Sequence, residues 1–124
     1  MNKVKIYSFG FKYEDELPEF DLTYDLRRKL KNPVSHLPKG AIGLDKIVIN
    51  TVLGSDTNKK VFTNIFNKVK KYLKENEGET SIAFACRSGI HRSVVFAEEC
   101  ANKLRKSKFE VEVEHIHLKE NNKG

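Results

Sequence analysis

The stretch that most constrains the fold is Thr80 to Cys86 (TSIAFAC), a nearly unbroken apolar run followed by the short turn RSGI and a helical pattern from His91. A strand with apolar side chains on both faces must be covered above and below, which places it in the middle of a sheet. An apolar strand leading through a glycine turn into a helix is a building unit of α/β domains. Residues 3–9 (KVKIYSF) alternate as a first strand ended by Gly10, and residues 20–26 (FDLTYDL) form a second extended stretch. Pro33 and Pro38 make residues 27–40 a long irregular loop, and Leu44, Ile47, Val48 and Val52 then recur at helical spacing. Beyond Gly54, any of Ser55, Asp56 or Thr57 can cap a longer helix, whose stripe of Val61, Phe62, Ile65, Phe66, Val69, Tyr72 and Leu73 runs to about Lys74. A third helix spans His91 to about Lys106, and residues 109–118 alternate Phe109, Val111 and Val113 with glutamates as a last strand. The expected fold is α/β, a small mostly parallel or mixed sheet with helices packed on it, in a single domain over residues 1–124.

No apolar run approaches the roughly 18–20 residues that cross a bilayer, and residues 1–11 lack a signal peptide's apolar stretch. A soluble cytoplasmic protein with no membrane partner is expected. Cys86 and Cys100 are then expected to be free thiols, since the helix between them separates them by on the order of 15 Å where a disulfide spans at most about 7 Å. The excess of 23 Lys and Arg over 17 Asp and Glu gives a net charge of +6, which favours anionic partners. Most lysines, including Lys68, Lys70, Lys71 and Lys74 of the long helix, read as a solvated face. The arginines say more, because a rigid fork of donors suits phosphate and carboxylate oxygens, and Arg87 and Arg92 flank the glycine turn.

Residues 86–93 read CRSGIHRS. A helix N-terminus presents backbone N–H groups at the positive end of the helix dipole, which makes this turn a ready anion site. Gly89 lets the backbone approach a phosphate, Arg92 supplies a bidentate clamp, and the hydroxyls of Ser88 and Ser93 add donors. The ligand-binding candidates are therefore Cys86, Arg87, Ser88, Gly89, Ile90, His91, Arg92 and Ser93, joined by Ser8 and Lys12, which flank Gly10 beyond the first strand. His91 can donate to an anion or lie on the helix surface. His115 and His117 share the strand face of Val111 and Val113, but no third ligand stands at a recognisable spacing, so no metal and no cofactor is expected.

Cys86 and Arg92, followed by Ser93, also satisfy C-x5-R-S, which resembles the signature loop of cysteine-dependent phosphatases. That resemblance implies Cys86 as a nucleophile whose thiolate sits at the positive end of the helix, with Arg92 holding the phosphate oxygens. Ala85 stands where most such enzymes have His, and Asp56, Asp45 and Asp25 are acid candidates only by elimination.

A second resemblance covers nearly the whole chain. SFGFKY (residues 8–13), DLR (25–27) followed by Asn32 and Pro33, GLD (43–45), CRSGIHRSV (86–94) and His115 to Leu118 resemble, in this order, the motifs of the C-terminal domain of the RNase adapter RapZ family. The resemblance implies a domain that binds the phosphosugar glucosamine-6-phosphate, takes part in binding small regulatory RNA, and forms homo-oligomers. It supports His115 as a pocket residue and adds Arg27 and His36 to the candidates, His36 being the histidine nearest to Asn32-Pro33, after which the family commonly has His and this chain has Val34. Arg87 replaces the family's Thr, Ser88 its Gly and Ile116 its Arg, departures that bear on the sugar more than on the phosphate. No G-x-x-x-x-G-K-[ST] occurs, so the kinase-like half and its ATP site are expected to be absent. The first expectation is a non-catalytic module for a phosphorylated small molecule; a phosphatase using Cys86 and Arg92 comes second and an RNA-binding adapter third.

Overall fold

The strands are β1 (Lys3–Gly10), β2 (Leu22–Asp25), β3 (Thr80–Cys86) and β4 (Glu110–His115), and the helices α1 (Lys46–Leu53), α2 (Asp56–Glu75) and α3 (Arg92–Lys106). The computed structural model describes residues 3–13, 16–31 and 36–118. Among these, the sheet has the order β2-β3-β1-β4 and every pairing is parallel, which removes the mixed alternative. None of the described helices is long and apolar enough to cross a membrane.

The topology decides which face each connection covers. Parallel neighbours require crossovers, and right-handed crossovers stepping the same way across a sheet land on the same face. The β2→β3 connection through α1 and α2 and the β3→β4 connection through α3 step one way, whereas β1→β2 steps back. The packing follows. Val4, Ile6, Ile82 and Phe84 join Val52, Phe62, Ile65, Val69, Phe96 and Leu104 of the helices in the main core. Phe9, Ala83 and Ala85, on the opposite face, are covered by Leu17 and Phe20 of the β1–β2 connection, with Phe20 stacked 5.9 Å from Phe9. Phe84 and Phe96 are completely buried and meet edge to face at 6.2 Å, each contributing roughly 1.5–3 kcal/mol by leaving water.

Ser55 settles the choice of cap, its Oγ accepting from the Asn58 N–H at 3.3 Å. Asn58 itself is fully buried, and its side chain ties Lys31 to Val52, fixing the end of the basic segment that follows β2. The second strand is shorter than residues 20–26 because Phe20 turns onto the back of the sheet. The last strand stops at His115 instead of running to residue 118, so His115 and His117 do not share a strand face. Residue 116 donates its N–H to the Ser8 carbonyl at 2.9 Å, and the chain turns there. Ser8 lies within β1, not beyond it, and α3 starts at Arg92 with His91 in the cap position. The Asn32-Pro33 motif and Val34 lie outside the described residues.

Candidate functional site

Because all four strands are parallel, their carboxyl ends, Gly10, Asp25, Cys86 and His115, share one edge of the sheet. The chain leaves β1 toward one face and β3 toward the other, so the crevice between these neighbours is a topological switch point, where open α/β sheets bind ligands. Two glycines let the walls of the crevice meet. A Cβ on Gly10 would lie 2.4 Å from the Ser88 carbonyl carbon, and one on Gly89, whose φ is +76°, would lie 2.6 Å from the Gly10 nitrogen. Phe11 and Lys12 then donate their N–H groups to the carbonyls of Cys86 and Arg87 at 2.9 and 3.0 Å.

The opposite side of the turn is braced by residues 41–45. Gly43 N–H donates to the Ile90 carbonyl at 2.6 Å, His91 Nε2 donates to the Ala41 carbonyl at 2.9 Å, and Asp45 folds back to accept from the Ile42 N–H at 2.8 Å. Carbonyls of Cys86, Arg87 and Ile90 are thus engaged with neighbouring loops, which fix the turn from both sides. Beneath it, buried Cys86 Sγ sits 3.1 Å from the buried Ser93 Oγ. The GLD motif therefore serves to hold the turn, a role that neither its residues nor its spacing declare.

The turn opens into a concavity of about 580 Å³ lined by Phe11, Lys12, Arg27, Arg28, Cys86, Arg87 and Arg92. Five of these seven are cations. Arg27 is held on two sides: its guanidinium lies 3.9 Å over the Phe11 ring and donates to the Asp25 carboxylate with Nε–Oδ1 and Nη2–Oδ2 distances of 3.0 and 2.8 Å. The same hydrogen bond holds the Asp25 carboxyl below its usual range. Lys12, Arg27, Cys86, Arg87 and Arg92 come together as candidates; Arg28 was not among them, although the Arg27-Arg28 doublet just past a strand end was its signal.

Other candidates stand elsewhere. His36 lies on an exposed turn, outside the lining of that concavity. Ser8 is fully buried, and its Oγ is 2.6 Å from His115 Nδ1, whose other ring nitrogen is 2.8 Å from Glu98 Oε2. This chain of bonds ties β1, β4 and α3 together behind the crevice. His117, also buried, accepts from the Gly10 N–H through Nδ1 at 2.8 Å and packs against Tyr13 at 4.2 Å, anchoring the glycine that lets the loops meet. The alternation of β4 could not reveal this role, because the strand ends before His117 is reached. Cys100 is buried in the helical layer, and burial pushes its thiol up to about 12; both cysteines are free. Among the described residues, no three His, Cys, Asp or Glu side chains gather as a metal ion would require.

A family profile, that of the RapZ C-terminal domain, matches residues 2–119. The chain belongs to the RapZ C-terminal domain family. Relatives called nucleotide-binding protein include one from Nitratidesulfovibrio vulgaris, 42% identical over 125 residues that make up 94% of this chain and 39% of the relative. One from Caldicellulosiruptor bescii is 35% identical over 127 residues, 98% of this chain and 43% of its own. One from Ruminiclostridium cellulolyticum is 31% identical, with 98% and 43% covered. The chain thus spans about two fifths of the length of these relatives, and the matched residues include those that build the crevice: Phe11, Lys12 and Arg27 supply its walls, residues 86–93 the turn, and residues 41–45 its brace.

A larger concavity, about 670 Å³, lies at the far ends of α2 and α3, between Lys70, Lys71, Leu73, Lys74, Ser107, Lys108 and Phe109. Its floor is apolar and its rim is lysine, and it lies at the amino-terminal side of the sheet, away from the glycine turn and the arginines.

His91 makes the site's brace sensitive to acid. Burial holds its pKa below the usual 6.5; the Ala41 bond opposes this and the neighbouring Arg92 charge adds to it. The unfolded chain then takes up the proton more readily, so this group's contribution is complete above about pH 6.5 and is lost as pH falls through the lower folded value. Melting temperatures measured between pH 8 and pH 5 should fall less steeply for His91→Gln, which keeps an N–H for Ala41, than for the wild type. Equal slopes would remove His91 from the acid response.

Proposed function

We propose that this domain binds a phosphorylated small molecule of the phosphosugar kind and does not turn it over, the phosphate lying in the turn of residues 87–93 with Arg92 as its clamp. The observation that carries the reading is the convergence of Lys12, Arg27, Arg28, Arg87 and Arg92 on one concavity at the carboxyl ends of β1 and β3. Membership of the RapZ C-terminal domain family and the nucleotide-binding names of relatives agree with a binding role in regulation.

The phosphatase alternative is disfavoured on chemical grounds. Expelling an alkoxide needs a proton donor, and its loss typically forfeits about 10²- to 10⁴-fold. Asp25, beside the basic wall, is kept ionised by Arg27; Asp45 is engaged with the Ile42 N–H; Asp56 belongs to the first turn of α2. The test is thermal shift and calorimetry with glucosamine-6-phosphate, beside hydrolysis of an aryl phosphate and of the same phosphosugar by wild type and Cys86→Ser. Saturable binding without turnover is the expected result. Turnover that vanishes in Cys86→Ser while binding persists would make Cys86 a nucleophile and reverse the assignment. An RNA role, implied by the family, predicts gel shifts whose affinity falls steeply with salt.

A further inference from the structure

We infer that the concavity of about 670 Å³ at the far ends of α2 and α3 docks a short acidic segment of a protein partner, its apolar side chains on the floor and its carboxylates against the lysine rim. This goes beyond the phosphate reading, because the glycine turn lies at the opposite edge of the sheet. Exposed lysines alone would not carry the inference. What sets these apart is the base beneath them, formed by buried Leu73 and the half-buried ring of Phe109.

The rim complements one kind of occupant. Lys71, Lys74 and Lys108 are exposed and form no ion pair with any described residue, and no carboxylate is among the residues that line the concavity. Lys70 is set aside, since it lies 5.6 Å over the Phe66 ring. The dipole of a helix favours a cation in its last turn, which accounts for Lys74. Lys71 stands before that turn and Lys108 beyond the end of α3, so the dipole explains neither.

Lys108 adds a second observation. Its φ of 69° is left-handed, which holds for no other non-glycine residue among those described. It follows the Ser107 cap of α3, where the Lys108 N–H donates to the Arg105 carbonyl at 3.0 Å and the Phe109 N–H to the Leu104 carbonyl at 3.1 Å. Glycine takes such a position freely, whereas an L-residue is strained there. A lysine in a glycine's place, on the rim of an apolar concavity, is strain that closing the helix does not require.

Size and place give the occupant's nature. Leu73 and Phe109 offer footing for one or two apolar side chains, too little for the acyl chain of a lipid. The concavity lies beside the start of β1, where Lys3 pairs with Glu110, the neighbour of Phe109. In the longer relatives the matched unit is the C-terminal domain, so the preceding polypeptide reaches it at this edge.

The experiment selects displayed random twelve-residue peptides on the immobilised full chain and measures the consensus peptide by fluorescence anisotropy. Selected peptides should combine Asp or Glu with one or two large apolar residues. The double variant Lys71→Glu, Lys74→Glu should weaken the consensus peptide about tenfold or more, whereas Lys59→Glu, Lys60→Glu, an equal change of charge at the other end of α2, should leave it unchanged. Lys108→Gly should bind about two- to fivefold more weakly and yet melt at a higher temperature than the wild type, a divergence that a structural role for this lysine does not produce. Failure to select any peptide, a consensus without acidic residues, or equal loss in both double variants would overturn the inference. So would cosedimentation with vesicles of phosphatidylcholine and phosphatidylserine that is abolished by Lys71→Glu, Lys74→Glu when no acidic peptide is selected, which would assign the surface to a membrane.

Discussion

Gly89→Ala is expected to destabilise the domain by about 2–5 kcal/mol and to abolish phosphate binding. Gly89 has a φ of +76°, a left-handed conformation that costs an L-residue about 1–2 kcal/mol. Its added Cβ would also sit 2.6 Å from the Gly10 nitrogen and 2.8 Å from the Phe9 carbonyl carbon, both backbone atoms that no rotamer change can move aside. Forcing a methyl into a packed site typically costs about 1–3 kcal/mol more. Native domains are stable by only about 5–15 kcal/mol, so denaturant unfolding should register the loss as a large shift in midpoint. Gly78→Ala is the internal comparison. Its φ is +92°, yet nothing lies within 4 Å of the added Cβ, so it should carry the backbone penalty alone. If both substitutions cost the same, the contact between the Gly10 and Gly89 loops is not what the glycine secures.

The layers of this fold were legible because they depend on pattern. The apolar run of β3 announced a strand covered on both faces, and the stripe of α2 announced the helix whose Phe62, Ile65 and Val69 now cover it. Parallel pairing could be expected only in part, since the order β2-β3-β1-β4 arises from crossovers that no local pattern encodes. The site divides the same way. Cys86, Arg87 and Arg92 are close in sequence, and their turn could be read directly; Lys12 and Arg27 join them because β1 and β2 end at the same edge as β3. Glu98 bonding to His115, His117 bonding to Gly10, and Gly43 bonding to Ile90 are contacts across long stretches of chain between residues that look unremarkable singly. Ser8 and His115 were legible as a pair of interest, but the bonds they make to each other and to Glu98 place them behind the crevice, not in its lining.

Arg92→Ala is expected to weaken binding of a phosphorylated ligand by about 1.5–3 kcal/mol, roughly 10- to 150-fold, while changing the stability of the free domain by no more than about 1 kcal/mol. The two effects separate because Arg92 is the first residue of α3. A cation there faces the positive end of the helix dipole, an unfavourable placement of about 0.3–1 kcal/mol that removal would relieve. A bound phosphate reverses the sign: it takes the helix N–H groups and the guanidinium together, and each then strengthens the other's hold. Arg92→Lys should recover only part of the affinity, since an ammonium keeps the charge but loses the bidentate fork. Calorimetry with glucosamine-6-phosphate, alongside thermal melts in the absence of phosphate, measures both quantities on the same variants. Affinity that survives Arg92→Ala would move the phosphate out of the turn of residues 87–93. A large fall in the ligand-free melting temperature with no separate loss of affinity would make Arg92 a structural residue and not the clamp of a ligand's phosphate.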